Sequence, residues 1–209
     1  LRPALDPAET AAAQLRARGH DPAEVTDVVL THLDLDHAGG VTDFPGARVH
    51  VLADELAAAR ARRSLRERTR YVPGQWPGAR WDTHAVEGEE WLGFAAVSML
   101  ADDVLMVPLV GHTRGHCGVA VRRPGGGWFL HAGDAYFSRH ELESPPSCPA
   151  GLSVFQTLLQ MDGPARHHNQ ERLRSLHAEH GPDSGAAEVV TVFSAHDAEE
   201  YDALDGTTH

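Results

Sequence analysis

Apolar positions come in short, bounded runs, and several of them are followed at once by a cluster of polar residues. Val28-Val29-Leu30-Thr31 is apolar and β-branched, which reads as a buried strand, and residues 48–52 read as a second one. From residue 91 to 123, runs at 97–100, 104–110 and 119–122 alternate with turns, Asp102-Asp103 among them, at antiparallel-meander spacing. Gly125-Gly126-Gly127 reads as a hairpin turn into a strand over 128–131, and residues 189–193 form a last buried strand. Helices are marked by their ends. Asp6-Pro7-Ala8-Glu9 supplies a cap, a proline in the first turn and a capping carboxylate, with Gly19 as the stop, and Asp21-Pro22-Ala23-Glu24 repeats the device for one turn. An Ala- and Arg-rich helix is predicted over 54–70, a Pro/Gly loop over 71–81, and helices over 152–160 and 165–180, the latter stopped by Gly181-Pro182. Strands and helices mix without a repeat or a linker, so residues 1–209 read as one α/β domain.

Composition removes several classes of chemistry. The chain has 209 residues and a formal charge of −12, and its 18 basic residues are all arginine. Without lysine there is no Schiff-base amine and no phosphate-loop lysine. An acidic surface repels polyanions, so nucleic acid is excluded as a partner, and no apolar run is long enough for a membrane span. Cys117 and Cys148 are too few for a disulfide framework and read as thiols of a reducing, cytoplasmic compartment. The six arginines at 60, 62, 63, 66, 68 and 70 read as a solvated helix face. The unusual figure is 15 histidines.

Their positions carry the chemistry. His32-x-Asp34-x-Asp36-His37, then Gly111-His112-x-x-Gly115-His116, then Gly133-Asp134 and Ala195-His196 each follow an apolar strand. Strand ends that share a direction bring such loops to one sheet edge, where imidazole and carboxylate donors can converge on divalent cations. If residues 32–36 are extended, His32, Asp34 and Asp36 share one side and His37 faces elsewhere, so two adjacent metals are expected.

These motifs resemble the metallo-beta-lactamase-fold hydrolases, whose signature runs H-x-H-x-D-H, G-H-T-x-G-H, G-D and a late H in that order. THLDLDHAGG, GHTRGHCG, HAGDAYF and FSAHD fill the four slots. The resemblance implies a four-layer αββα sandwich. It assigns one metal to His32, Asp34 and His112, a second to Asp36, His37 and His196, and the bridge to Asp134. It also gives His116 a supporting role. The strands and D-T-G turn that normally precede the first motif are missing before His32, so the sandwich is expected to be N-terminally incomplete.

One slot departs from the pattern, because Asp34 stands where the family has histidine. Three carboxylates and a bridging hydroxide would balance two dications, making Mn²⁺ or Fe²⁺ plausible beside Zn²⁺, the leading expectation. Tyr136, close after Asp134, is a candidate oxyanion donor, and its rival reading is packing under the site. His131 reads as a core or supporting residue; His20, His50, His84, His140, His167, His168, His177, His180 and His209 read as solvated.

The function implied is hydrolysis. Two cations acidify a shared water, the hydroxide attacks a carbonyl carbon, and Asp36 returns a proton to the leaving group. HAGG and the short chain resemble the branch that opens lactones and related esters, so the expected partner is a small-molecule substrate. Assembly stays open, a homodimer included. The alternatives are a dinuclear-iron oxidoreductase of the same fold and a non-catalytic metal-binding relative.

Overall fold

The computed structural model describes residues 6–87, 90–99 and 101–205. Among the described residues ten strands follow in chain order: β1 (Asp27–Val29), β2 (Arg48–Leu52), β3 (Arg80–His84), β4 (Glu90–Trp91), β5 (Phe94–Ala95), β6 (Val97–Met99), β7 (Ala101–Pro108), β8 (Cys117–Arg122), β9 (Trp128–His131) and β10 (Val190–Phe193). Seven α-helices accompany them among the same residues: α1 (Ala11–Ala17), α2 (Leu35–Ala38), α3 (Ala53–Ala61), α4 (Leu65–Arg70), α5 (Ala150–Leu159), α6 (Gly163–His180) and α7 (Ala198–Asp205).

β1, β2 and β3 make a parallel sheet in that order. A mixed sheet runs β10-β9-β8-β7-β6, antiparallel except for the parallel pair β9 and β10. Val49 and Val51 turn one face of the first sheet onto Leu56 and Ala59 of α3, Tyr71 and Trp76. Val29 and Leu52 turn the other face toward Val97, Met106 and Cys117 of the second sheet. The far side of that sheet buries Trp128, Leu130 and Val190 against Leu173 and Leu176 of α6. Helix, sheet, sheet and helix therefore stack in four layers, the expected αββα sandwich. Side chains as enclosed as Val51, Leu130 and Leu173 contribute about 1.5–3 kcal/mol each by leaving water.

Local chemistry moves several boundaries. Asp6 caps only a 3₁₀ turn (Pro7–Glu9), and Thr10, accepting from the Ala13 N–H, starts α1 afresh. Gly19, at φ 84°, ends it in the left-handed region as the sequence predicts. The single helix expected over 54–70 is two, because Arg62 adopts φ 43° and Ser64 opens a capping box with Glu67. β3 was not foreseen: RWDTH has no run of apolar residues, and the strand forms by pairing with β2. Asp102 and Asp103 lie within β7 rather than in a turn, and Leu100, the end of the run 97–100, is outside the described residues. The triple-glycine hairpin between β8 and β9 forms as expected, all three glycines at positive φ. Both cysteines are free thiols.

Candidate metal centre

Four loops meet at one end of the sandwich. β7, β9 and β10 run the same way, so residues 109–116, Gly133-Asp134 and residues 194–197 leave one edge of the second sheet. Residues 30–37 arrive from β1, and the Cys117 N–H bonds to the Thr31 carbonyl at 2.9 Å, lacing the two sheets together there. The extended reading of residues 32–36 is corrected. Asp34 instead starts the one-turn helix α2, its carbonyl accepting from the N–H groups of His37 (3.0 Å) and Ala38 (2.9 Å). The turn rotates Asp36 and His37 away from the line of His32 and Asp34, and the donors still fall into two groups.

In the first group, His112 Nε2 is 3.0 Å from Asp34 Oδ2 and 3.4 Å from Asp134 Oδ2. His32 Nε2 is 3.7 and 3.9 Å from the same two oxygens. In the second group, His37 Nε2 is 3.2 Å from Asp134 Oδ1 and His196 Nε2 is 3.3 Å from Asp134 Oδ2. Both nitrogens lie 3.8 Å from Asp36 Oδ2. Donors held about 2.0–2.1 Å from a tetrahedral dication are separated by about 3.3–3.4 Å, so the observed spacings bracket a coordination edge. Asp134 touches both groups. All seven residues singled out from the sequence are thus brought to one place.

Three of their atoms have no use inside the protein. His32 Nε2, His37 Nε2 and Asp134 Oδ1 are buried without a hydrogen-bond partner among the described residues. Leaving such groups empty-handed costs free energy, and lone pairs aimed at one point are what a divalent cation accepts. The residues therefore fit the metal ions that the motifs imply. A second histidine group makes the contrast plain. His50, Asp82 and His84 are also close together, but His50 Nε2 lies 2.8 Å from Asp27 Oδ1 and His50 Nδ1 lies 3.0 Å from His84 Nε2. Hydrogen bonds alone satisfy that network, and they hold His50 buried rather than solvated as expected.

Burial and neighbouring charge polarise the site. Burial, reinforced by His37, keeps the His32 ring neutral far below its ordinary range. Burial pushes Asp134 up, but the imidazoles of His196, His37 and His32 beside it outweigh that and hold the carboxyl well below the usual value. Asp34 is also buried, and bonds from His112 and Arg70 keep it ionised. Asp36 stands apart with a side chain 55 % exposed at the mouth. His116 is wholly enclosed, its Nδ1 against the Leu109 carbonyl and its Nε2 receiving the Asp134 N–H, both at 2.9 Å. It holds a neighbour in place, the supporting role the resemblance implied.

Two residues were missed. Arg70, read as part of a solvated arginine face, is 6 % exposed and bonds both oxygens of Asp34 at 2.7 Å. Arg60, Arg63, Arg66 and Arg68 do face solvent, so the correction concerns the last turn of α4. It also changes the charge balance, because Arg70 cancels the extra charge of Asp34 and removes the argument for a neutral cluster. Glu55 is fully buried, its Oε1 accepting from Leu33 N–H and its Oε2 from Gly115 N–H, both at 3.0 Å, which ties the first two motif loops together. A buried carboxylate must be compensated, by N–H donors at Glu55 and by a cation at Asp34, and that need at Asp34 was the available signal for an arginine.

Tyr136 corrects an expectation as well. It is fully buried, and its hydroxyl donates to Glu200 Oε1 at 2.8 Å, so it packs beneath the site instead of presenting a donor to an oxyanion. His131 lies against Phe193 with ring centres 5.0 Å apart, inside the sandwich as read. His209 is outside the described residues. Phe137 packs 5.0 Å from the His196 ring and 5.9 Å from Phe155, which α5 exposes together with Val154 and Leu158.

Comparison with known proteins agrees with this geometry. Residues 3–183 match the family profile described as the metallo-beta-lactamase superfamily. A probable metallo-hydrolase of Mycobacterium tuberculosis (strain ATCC 25618 / H37Rv) is 42% identical over 205 residues, 96% of this chain and 64% of that protein. The chain thus spans under two thirds of that relative's length. An N-acyl homoserine lactonase of Rhizobium johnstonii is 49% identical over 45 residues, 22% of this chain and 17% of the lactonase. Among solved structures, an N-acyl homoserine lactone hydrolase with N-hexanoyl-L-homoserine at its catalytic metal center superposes with a TM-score of 0.67. It is 19% identical, and the match covers 94% of this chain and 66% of that one.

Proposed function

The chain belongs to the metallo-beta-lactamase superfamily, and from that premise we propose that it is a metal-dependent hydrolase opening a small-molecule lactone or ester. The observation that carries the reading is the convergence of His32 Nε2, His37 Nε2 and Asp134 Oδ1, buried and unpartnered, within a cage of carboxylates and imidazoles. His32, Asp34 and His112 would hold one ion, Asp36, His37 and His196 a second, with Asp134 shared. Zinc leads for this imidazole-rich set, and manganese or iron stay compatible with its three carboxylates. Bound there, such ions supply Lewis acidity toward an acyl oxygen and an acidified water as nucleophile.

The chain's own groups do the rest. Asp36, with its exposed side chain, would carry a proton to the leaving alkoxide. His116 and Glu55 fix the backbone of the donor loops, so the donors are set before substrate arrives. Phe137 and Phe155 form an apolar wall beside His196, suited to the acyl portion of a substrate. The name of the lactonase with local similarity and the product bound in the superposed hydrolase support a lactone as that substrate.

The test is turnover of a panel of N-acyl homoserine lactones and aryl esters by the chain loaded in turn with Zn²⁺, Mn²⁺ and Fe²⁺. Hydrolysis that a chelator and His112→Ala both abolish is expected. A chain that binds ions yet turns over no member of the panel with any of them would overturn the assignment.

A further inference from the structure

The two halves of the donor set are not equivalent, because one of them already faces a permanent cation. Arg70 Nε and Nη2 each lie 2.7 Å from an oxygen of Asp34. Nη2 is also 3.1 Å from His112 Nε2, the same nitrogen that lies 3.0 Å from Asp34 Oδ2. The third nitrogen, Nη1, donates to the carbonyls of His112 (3.0 Å) and Leu159 (3.2 Å), so the guanidinium is anchored on every side. Arg70, Asp34 and His112 are all buried. A guanidinium does not give up its proton in a protein, so this charge is fixed.

The consequences for the His32, Asp34, His112 half are twofold. Arg70 Nη2 stands against His112 Nε2, the nitrogen a metal would need, and a full positive charge sits against the carboxylate that would bind it. Both effects weaken a dication there. Around Asp36, His37 and His196 no arginine contact occurs among the described residues, and the chain contains no lysine. That half keeps its carboxylates uncompensated.

Resting on the reading that these residues hold metal, we infer that the centre loads in a fixed order. The Asp36, His37, His196 half, with Asp134, takes the first ion tightly, and the His32, Asp34, His112 half takes the second weakly. Arg70 is a positioning residue that orients Asp34 and at the same time sets this inequality.

Calorimetric titration of the metal-free chain with Zn²⁺ reads the order without any substrate. Two steps are expected, separated by about a hundredfold or more, the scale a unit charge at close range gives under moderate screening. His196→Ala should remove the tight step, whereas His112→Ala should keep it and lose the weak one. The double variant Asp34→His with Arg70→Gln should bring the two steps together. Two equally tight equivalents in the unmodified chain, or loss of the tight step in His112→Ala, would overturn the order while leaving the metal centre intact. Failure to bind any ion would remove the metal-centre reading and this order with it. The His112→Ala and His196→Ala pair decides the matter even if the double variant does not fold.

Discussion

The backbone N–H of Asp134 donates to His116 Nε2 at 2.9 Å, so the residue shared by both halves of the centre is held by an imidazole that is not among the metal-ligand candidates. Because Nδ1 of the same ring serves the Leu109 carbonyl, His116 is fixed as the tautomer with its proton on Nδ1. Replacing it by Phe keeps much of the ring volume and removes both bonds. We expect metal affinity to fall about 10- to 100-fold, as loss of an orienting partner does, and unfolding free energy to drop by about 2–3 kcal/mol. Metal equivalents retained after gel filtration, with a urea curve beside them, check this; unchanged retention would show that Asp134 is held by other means.

Glu55 closes the gap between the first two motif loops by accepting from Leu33 and Gly115. Glu55→Gln turns one acceptor into a donor facing an N–H, and should cost about 1–3 kcal/mol. Gly115→Ala should be worse, since a Cβ there would run into the Glu55 backbone. Denaturant midpoints of the two variants give the ranking, and equal midpoints would mean that the loops separate at little cost.

Glu67 provides a pH signature independent of the metal centre. Arg114 bonds its Oε1 at 2.9 Å and Ser64 bonds Oε2, holding the carboxyl at about 2 against an ordinary 4.5. A depressed carboxylate contributes stability above its unfolded value and loses it as pH falls from about 4.5 toward about 2. Arg114 is 57 % exposed, so solvent screening reduces the contribution to about 1–2 kcal/mol. Glu67→Gln should therefore be less stable than the parent at pH 7 and converge with it near the bottom of that range. Urea midpoints measured across it would show convergence or its absence.

The aromatic wall makes a prediction about substrate. Phe155 is exposed and packs on Phe137, which in turn meets the His196 ring. Phe155→Ala should raise KM for long-chain acyl substrates about tenfold, with kcat nearly constant, because it removes binding shared by ground and transition states. A KM unaffected by acyl length would place the chain elsewhere.

What the sequence disclosed and what it hid divide along a physical line. The four donor loops were legible because each follows a strand and because polar residues there are conspicuous against apolar runs. The mixed α/β character followed from the same runs, and the four layers from the family resemblance that the motifs carry. Arg70 was not legible: six arginines within eleven residues look alike, and only the break at Arg62 and the new cap at Ser64 decide that the last of them turns inward. Glu55 was hidden for a related reason, since a glutamate in the first turn of a helix is ordinary on the surface. Tyr136 was misplaced because its partner, Glu200, lies 64 residues further on. The strand at β3 escaped because pairing with β2, not side-chain pattern, creates it.

The lacing between Thr31 and Cys117 gives the centre a mechanical side. Donors on opposite flanks belong to different sheets, so an ion shared among them would act as a rivet through the sandwich. Chelation should then loosen more than the pocket: amide exchange ought to quicken along the seam between β1 and β8 while the outer helices keep their protection, so that cargo capacity and cohesion of the two halves rise and fall together.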